Sequence, residues 1–147
     1  MSVTVELDAN DIEHESGHIS SCSAFVHKAG VAKYVTPLKM YATAPEIRTV
    51  LPEKVDLIYL DASHSYSHAL SDLSLCDRLL RDNGLIVRDD VGPESSARID
   101  PEGRGGVRQA LLDRTKGRDD LRVILMEPPA FWLNPCGLGI VCKQSPG

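Results

Sequence analysis

Two apolar runs restrict this chain more than anything else in it. Val55-Asp56-Leu57-Ile58-Tyr59-Leu60 stops on Asp61-Ala62-Ser63-His64, and Leu85-Ile86-Val87-Arg88 stops on Asp89-Asp90. Between them Ala69, Leu73, Cys76 and Leu80 recur at helical spacing, and Asn83-Gly84 supplies a C-terminal stop before a strand beginning at Leu85. Strand, helix and strand in this order form a βαβ unit, whose crossover makes the two strands parallel. Asp61 and the Asp89-Asp90 pair therefore leave the same edge of one sheet. The run from Leu57 to Asp61 is apolar on both faces, which predicts a central strand covered by helices on both sides.

The remaining chain continues the alternation. Val3 to Asp8 is β-rich. From Asp11 to Ala29, Ile12, Ile19, Cys22, Phe25, Val26 and Ala29 fall at helical spacing, with Gly30 placed as a left-handed cap. Tyr34 to Tyr41 reads as a short strand whose Pro37 predicts an edge or a bulge, and Ala44 to Leu51 as a brief helix with Pro45 in its first turn. Gly92 to Gly106, rich in Gly, Pro and Ser, reads as a long mobile loop of the kind that closes over sites. Val107 to Leu112 predicts a helix, and Arg122 to Met126 and Gly139 to Cys142 predict strands, joined through Phe131 and Trp132, two residues that read as packing anchors. The sum is an α/β, doubly wound, mostly parallel sheet in one domain spanning residues 1–147. Ligands of such sheets bind outside the carboxyl ends of the strands, where Glu6, Asp61 and Asp89 fall.

Charge excludes some functions. With 16 Lys and Arg against 21 Asp and Glu, a net charge of -5 and no basic cluster, the chain lacks the footprint of a nucleic-acid binder. No apolar run nears the roughly 20 residues that span a bilayer, and the first residues carry acids where a secretory signal has a basic start. The expected compartment is the cytosol. Cys22, Cys76, Cys136 and Cys142 show no C-x-x-C spacing and read as reduced packing residues.

Carboxylates that converge with no lysine among them repel one another unless a cation sits between. An all-oxygen set favours Mg²⁺, Ca²⁺ or Mn²⁺ over zinc. Asp61, Asp89 and Asp90 are such a set, and a cation there would acidify a substrate hydroxyl while the imidazole of His64 takes its proton. A second constellation, His14-Glu15-Ser16-Gly17-His18, satisfies H-E-x-x-H and would suit a zinc hydrolase, although Gly17 weakens the helix it needs. A phosphoacceptor domain also uses an acid pair and a separate Asp. It places the pair first, however, and here Asp61 comes first.

The motifs Asp56-Leu-Ile-Tyr-Leu-Asp61-Ala-Ser-His64-Ser-Tyr66, Asp72-Leu73, Asn83-Gly84-Leu-Ile-Val-Arg-Asp89-Asp90 and Gly106-Val107-Arg108-Gln109-Ala110 resemble the second half of class I S-adenosylmethionine-dependent methyltransferases. The match is closest to the metal-dependent O-methyltransferases related to macrolide sugar methyltransferases. The terminal Gly137-Leu-Gly-Ile-Val-Cys-Lys143 is similar to that fold's antiparallel last strand, and Val5 to Asp8 with Ala29-Gly30-Val31 to its second strand and following helix. The resemblance implies a Rossmann-like sheet, S-adenosylmethionine and a divalent cation, Mg²⁺ first, as cofactors, and a small hydroxylated substrate. It makes Asp61, Asp89 and Asp90 the metal ligands and His64 the base. Glu6, with Asp8 as second choice, would hold the cofactor's ribose hydroxyls, because one carboxylate can accept from both. Tyr41 and Ala42 would contact adenine.

In that family a first strand and a glycine-rich loop precede the position of Val3. The expectation is therefore a domain truncated at its N-terminus, with the slot between the strands at Val3 and Leu57 closed by direct pairing, a second copy or a partner chain. An inactive remnant or subunit of the same fold is the alternative function.

Overall fold

The structure is a computed structural model that describes residues 2–5, 24, 26–38, 54–127 and 136–145. It falls into two compact units, Met1–Leu51 and Pro52–Gly147.

In the first unit, β1 (Ser2–Val5) pairs in parallel with β2 (Val35–Leu38), Ser2 opposite Val35 and Val5 opposite Leu38. Pro37 lies inside β2, which among the described strands has β1 as its one neighbour, as its missing N–H requires of an edge position. Residues 26–28 are helical and stop at Gly30, whose φ of +71° and N–H to the His27 carbonyl make the left-handed cap expected there. The helix expected over Ala44 to Leu51 and the Phe131–Trp132 segment lie outside the described residues.

The second unit holds β3 (Val55–Leu60), α1 (Tyr66–Leu79), β4 (Leu80–Asp89), α2 (Pro93–Ile99), α3 (Gly106–Thr115), β5 (Leu121–Met126) and β6 (Leu138–Lys143). Its sheet has the order β3-β4-β6-β5. β3 and β4 are parallel, and β6 runs antiparallel to both β4 and β5. This is the predicted βαβ unit with an antiparallel last strand. α1 and α3 pack together and cover one sheet face. There Leu60, Ile86 and Val141 meet Ala69, Leu73, Cys76, Val107, Ala110 and Leu111. Leu73, Leu80 and Leu111 are buried, and each contributes about 1.5–3 kcal/mol by leaving water. Gly139 permits the close approach of α3, since a Cβ there would lie 2.6 Å from a Leu111 methyl.

Three expectations are corrected. Among the described residues β3 is an edge of this sheet and not its centre, with Leu57 61% and Tyr59 57% exposed. Its alternation supplies two apolar faces, and α1 covers only the one carrying Ile58 and Leu60. Asn83-Gly84 does not end the helix, because α1 stops at Leu79 and β4 starts at Leu80. Asn83, at φ +62°, and Gly84 instead form an irregularity in β4 where the register jumps from Val55–Leu80 to Leu57–Leu85. A Cβ on Gly84 would sit 2.8 Å from the Leu80 side chain, which is why glycine is needed.

The third correction concerns Gly92 to Gly106, which holds a helix and a hydrogen-bonded turn. Pro93 opens α2 at its first turn. Asp100 then accepts four backbone N–H groups, from Tyr66 at 3.2 Å, Glu102 at 3.1 Å, Arg104 at 2.7 Å and Gly106 at 2.9 Å. One of these donors is the first residue of α1, so the turn is pinned to that helix and is no free lid. Burial alone would raise the Asp100 carboxyl, but these four donors hold it below its usual range.

The far end of the unit is tied by charge. Asp77, buried on α1, accepts from Arg114 of α3 and, at 3.0 Å, from Arg118, while Lys143 of β6 stands 3.5 Å from its other oxygen. Burial would push this carboxyl up, yet the Arg118 hydrogen bond and the three cations hold it below the ordinary 3.8. The Arg118 hydrogen bond likewise draws Asp120 down to about 2. Folded values below unfolded ones mean that the stabilisation is complete above about pH 4 and is lost as pH falls through the folded values. The urea midpoint should therefore hold steady from pH 7 to 5 and drop between pH 4 and 2. A midpoint unchanged at pH 2.5 would show that these pairs add nothing.

Candidate active site

The carboxyl ends of β3 and β4 build the site. Leu60 stands opposite Arg88, so Asp61 and Asp89 emerge side by side one residue later. Asp90 turns away at φ +61°, a left-handed conformation that Asp adopts more readily than most residues. Ser65 caps α1 by accepting the His68 N–H, and the short turn between Leu60 and this cap carries Asp61 and His64.

Here the tertiary structure brings three of the four expected residues into one cluster. His64 Nε2 lies 2.7 Å from Asp90 Oδ2, and one ligand atom each of Asp61, His64 and Asp90 lies within 4.8 Å of the others. Ligands bound to one cation at 2.0–2.6 Å cannot be more than about 5 Å apart, so this cluster has the size of a single-ion site. Its donors, two carboxylates and an imidazole, suit a divalent cation. Asp89 is directed otherwise. Its Oδ2 accepts the Tyr59 hydroxyl at 3.0 Å and its Oδ1 the Asp90 N–H at 2.8 Å.

The electrostatics match a crowd of anions. Asp61 has its carboxyl raised, first by desolvation and then by the charges of Asp89 and Asp90, with Arg88 and His64 opposing. Tyr59 is lifted to about 12 by desolvation of its hydroxyl, by donation to Asp89 and by the surrounding acids, so it remains a proton donor at neutral pH. Cys136 sits beside the cluster with its thiol on Asp90. Desolvation, that hydrogen bond and the three carboxylates raise it, which leaves it a thiol rather than a nucleophile. Cys76 is buried and pushed up to about 12, in keeping with the packing role expected of it.

Sequence reasoning missed Tyr59, Cys136 and Arg88. The Arg88 side chain is fully buried and donates from Nη1 to the Leu60 carbonyl and from Nη2 to the Ser63 carbonyl, both at 3.0 Å. The acids thus do have a fixed positive charge among them. The available signal was a lone cation inside an apolar β run, where a charge persists only if paired. Glu6, Asp8 and Tyr41, and the His14-Glu15-His18 constellation, lie outside the described residues. Among the described residues no helix is long and apolar enough to cross a membrane.

A family model described as a methyltransferase domain matches residues 3–91. No curated protein matches the sequence. Among solved structures the chain is similar to cofactor-bound Rv0187 from MTB, at 18% identity and a TM-score of 0.72 over 98% of this chain and 62% of that one. It is also similar to the O-methyltransferase TomG of Streptomyces achromogenes, involved in tomaymycin synthesis and solved with SAM, at 18% identity and 0.71 over 97% and 61%. An O-methyltransferase from Bacillus cereus in complex with SAH aligns at 16% identity and 0.73 over 97% and 62%. The fold is that of these proteins, and the chain spans a little over three-fifths of their length.

Proposed function

We propose that this chain, which belongs to the methyltransferase-domain family matched over residues 3–91, carries the acceptor-activating half of an O-methyl-transfer site for a small hydroxylated molecule. The observation that carries the reading is the convergence of Asp61, His64 and Asp90 at the carboxyl ends of two parallel strands. Support for oxygen as the accepting atom comes from the two O-methyltransferases of the same fold, solved with SAM and SAH.

Asp61 and Asp90 would hold a divalent cation, with Asp89 completing the acid set beside them. Such a cation lowers the pKa of an acceptor hydroxyl, and S-adenosylmethionine supplies the methyl group. The protein's own part is to place a base and keep it oriented. His64 is tethered at Nε2 by Asp90, an arrangement that fixes the ring as it takes the hydroxyl proton. Tyr59 steadies Asp89 by hydrogen bonding without competing for that proton. Glu6, with Asp8 as second choice, is the proposed contact to the cofactor's ribose, and Tyr41 to its adenine.

Mn²⁺ calorimetry on the chain tests the cation. Asp61→Asn and Asp90→Asn should each weaken Mn²⁺ binding by more than about tenfold, a loss that even residues behind metal ligands commonly produce. Isotherms indistinguishable from the unmodified chain would remove the cation from the reading. Calorimetry with S-adenosylmethionine tests the donor, and a folded chain with no heat of binding would sink methyl transfer by this chain.

A further inference from the structure

We infer that Arg88 is a positioning residue for this site: its guanidinium ties the turn carrying Asp61 and His64 to β4 and so sets both against Asp90. The inference rests on the cation-site reading above and concerns what holds that site in shape before anything binds.

Three observations carry it. The two carbonyls that Arg88 engages, Leu60 and Ser63, bracket Asp61, and each is held at 3.0 Å by a different arm of one planar fork. A rigid fork spanning two acceptors fixes their separation, which a single ammonium cannot do. Arg88 also stands on β4 two residues before Asp90, which follows the strand's end, and lies on the covered face with Ile86. Movement of the fork would therefore change the Asp61–Asp90 spacing directly.

Burial is the second observation. Arg88 has no exposed surface, and among the described residues its buried Nε finds no hydrogen-bond partner. Desolvating a charge costs several kcal/mol, and an incompletely satisfied one is a poor way to stabilise a core whose other members here, Asp72 apart, are apolar. Packing alone does not account for it.

Third, two of its three acidic counter-charges belong to the site. Asp72, buried on α1, and then Asp90 and Asp61 are the acids that act on Arg88. Two of those three are the proposed cation ligands. The guanidinium thus offsets their mutual repulsion from beneath while leaving their outer side to an incoming ion.

Losing Arg88 has two opposed effects on cation binding. Removing a positive charge favours the ion, and releasing the turn disfavours it. Arg88→Lys separates them, since it keeps the charge and loses the fork. With the full chain, Arg88→Lys should weaken Mn²⁺ binding by about tenfold or more. It should also speed amide hydrogen exchange over residues 61–65 in the metal-free protein about tenfold, with no change over β5.

The double variant Arg88→Met/Asp72→Leu removes both buried charges and should keep the urea midpoint near that of the unmodified chain. Its Mn²⁺ binding should stay weak and its 61–65 amides fast. Unchanged exchange or unchanged Mn²⁺ affinity in Arg88→Lys overturns the inference, as does restored Mn²⁺ binding in the double variant. If the unmodified chain binds no Mn²⁺, the cation reading fails, and exchange over residues 61–65 still decides whether Arg88 holds the turn.

Discussion

Replacing His64 with alanine should lower methyl-transfer turnover by about 10²–10⁴-fold, the usual contribution of a positioned general base. The substitution removes the group that takes the acceptor proton and leaves Asp90 without its partner at 2.7 Å. S-adenosylmethionine affinity should be unchanged, because the proposed donor contacts lie elsewhere in sequence, at Glu6, Asp8 and Tyr41. The side chain is 40% exposed, so the fold should tolerate its loss with little change in urea midpoint. His64→Asn is a useful companion, since it keeps a hydrogen-bonding group for Asp90 without one that can act as a base. Turnover within threefold of the unmodified chain in both variants would remove His64 from the mechanism.

Asp77→Ala should destabilise the second unit by about 3 kcal/mol, the lower end of what breaking a buried ion pair costs. The lower end applies because Arg114 and Arg118 are 24% and 30% exposed, so water relieves part of the loss. Three cations from three places in the chain converge on this one carboxylate. Its removal leaves them facing one another across the seam between α1, α3 and β6. Chemical denaturation at pH 7 measures the effect. Asp77→Asn should recover little of it, because the amide keeps the shape but not the charge. A change below about 0.5 kcal/mol in Asp77→Ala would mean that the cluster is a surface decoration.

The two predictions draw on features of unequal visibility. Asp61, His64 and Asp90 could be brought together from sequence because two apolar runs separated by a helical stripe leave one topology. Parallel strands then deliver the residues at their carboxyl ends to one edge. Asp77 could not be found that way. It sits on α1 among residues whose spacing says only that one side is buried, and its partners Arg114, Arg118 and Lys143 are far along the chain. Nothing in local pattern pairs them.

The same limit explains the misread loop. Gly, Pro and Ser between Gly92 and Gly106 signal irregular backbone, and the positive φ values of Gly103, Gly105 and Gly106 bear that out. Irregular backbone is not free backbone, and four donors reaching Asp100 settle the difference. Composition registers the turns and is silent about who holds them. At Asn83-Gly84 the same dipeptide serves a helix stop or a strand irregularity equally well, and the pairing with β3 selects the second.

By itself the sequence determined the order and type of β3, α1, β4, α3, β5 and β6, the parallel pairing of β3 and β4, and the edge at which Asp61, His64, Asp89 and Asp90 gather. These follow from periodicity and chain connectivity, which act over a few residues or through crossover handedness. Only the tertiary structure decided which of those acids face one another, that Asp89 turns to Tyr59, and that Arg88 lies beneath them with its charge among the carboxylates. Those outcomes depend on a match to within about 3 Å between groups from different strands and helices. The energy of such contacts comes from mutual orientation and desolvation, and neither is written in the spacing of residues along the chain.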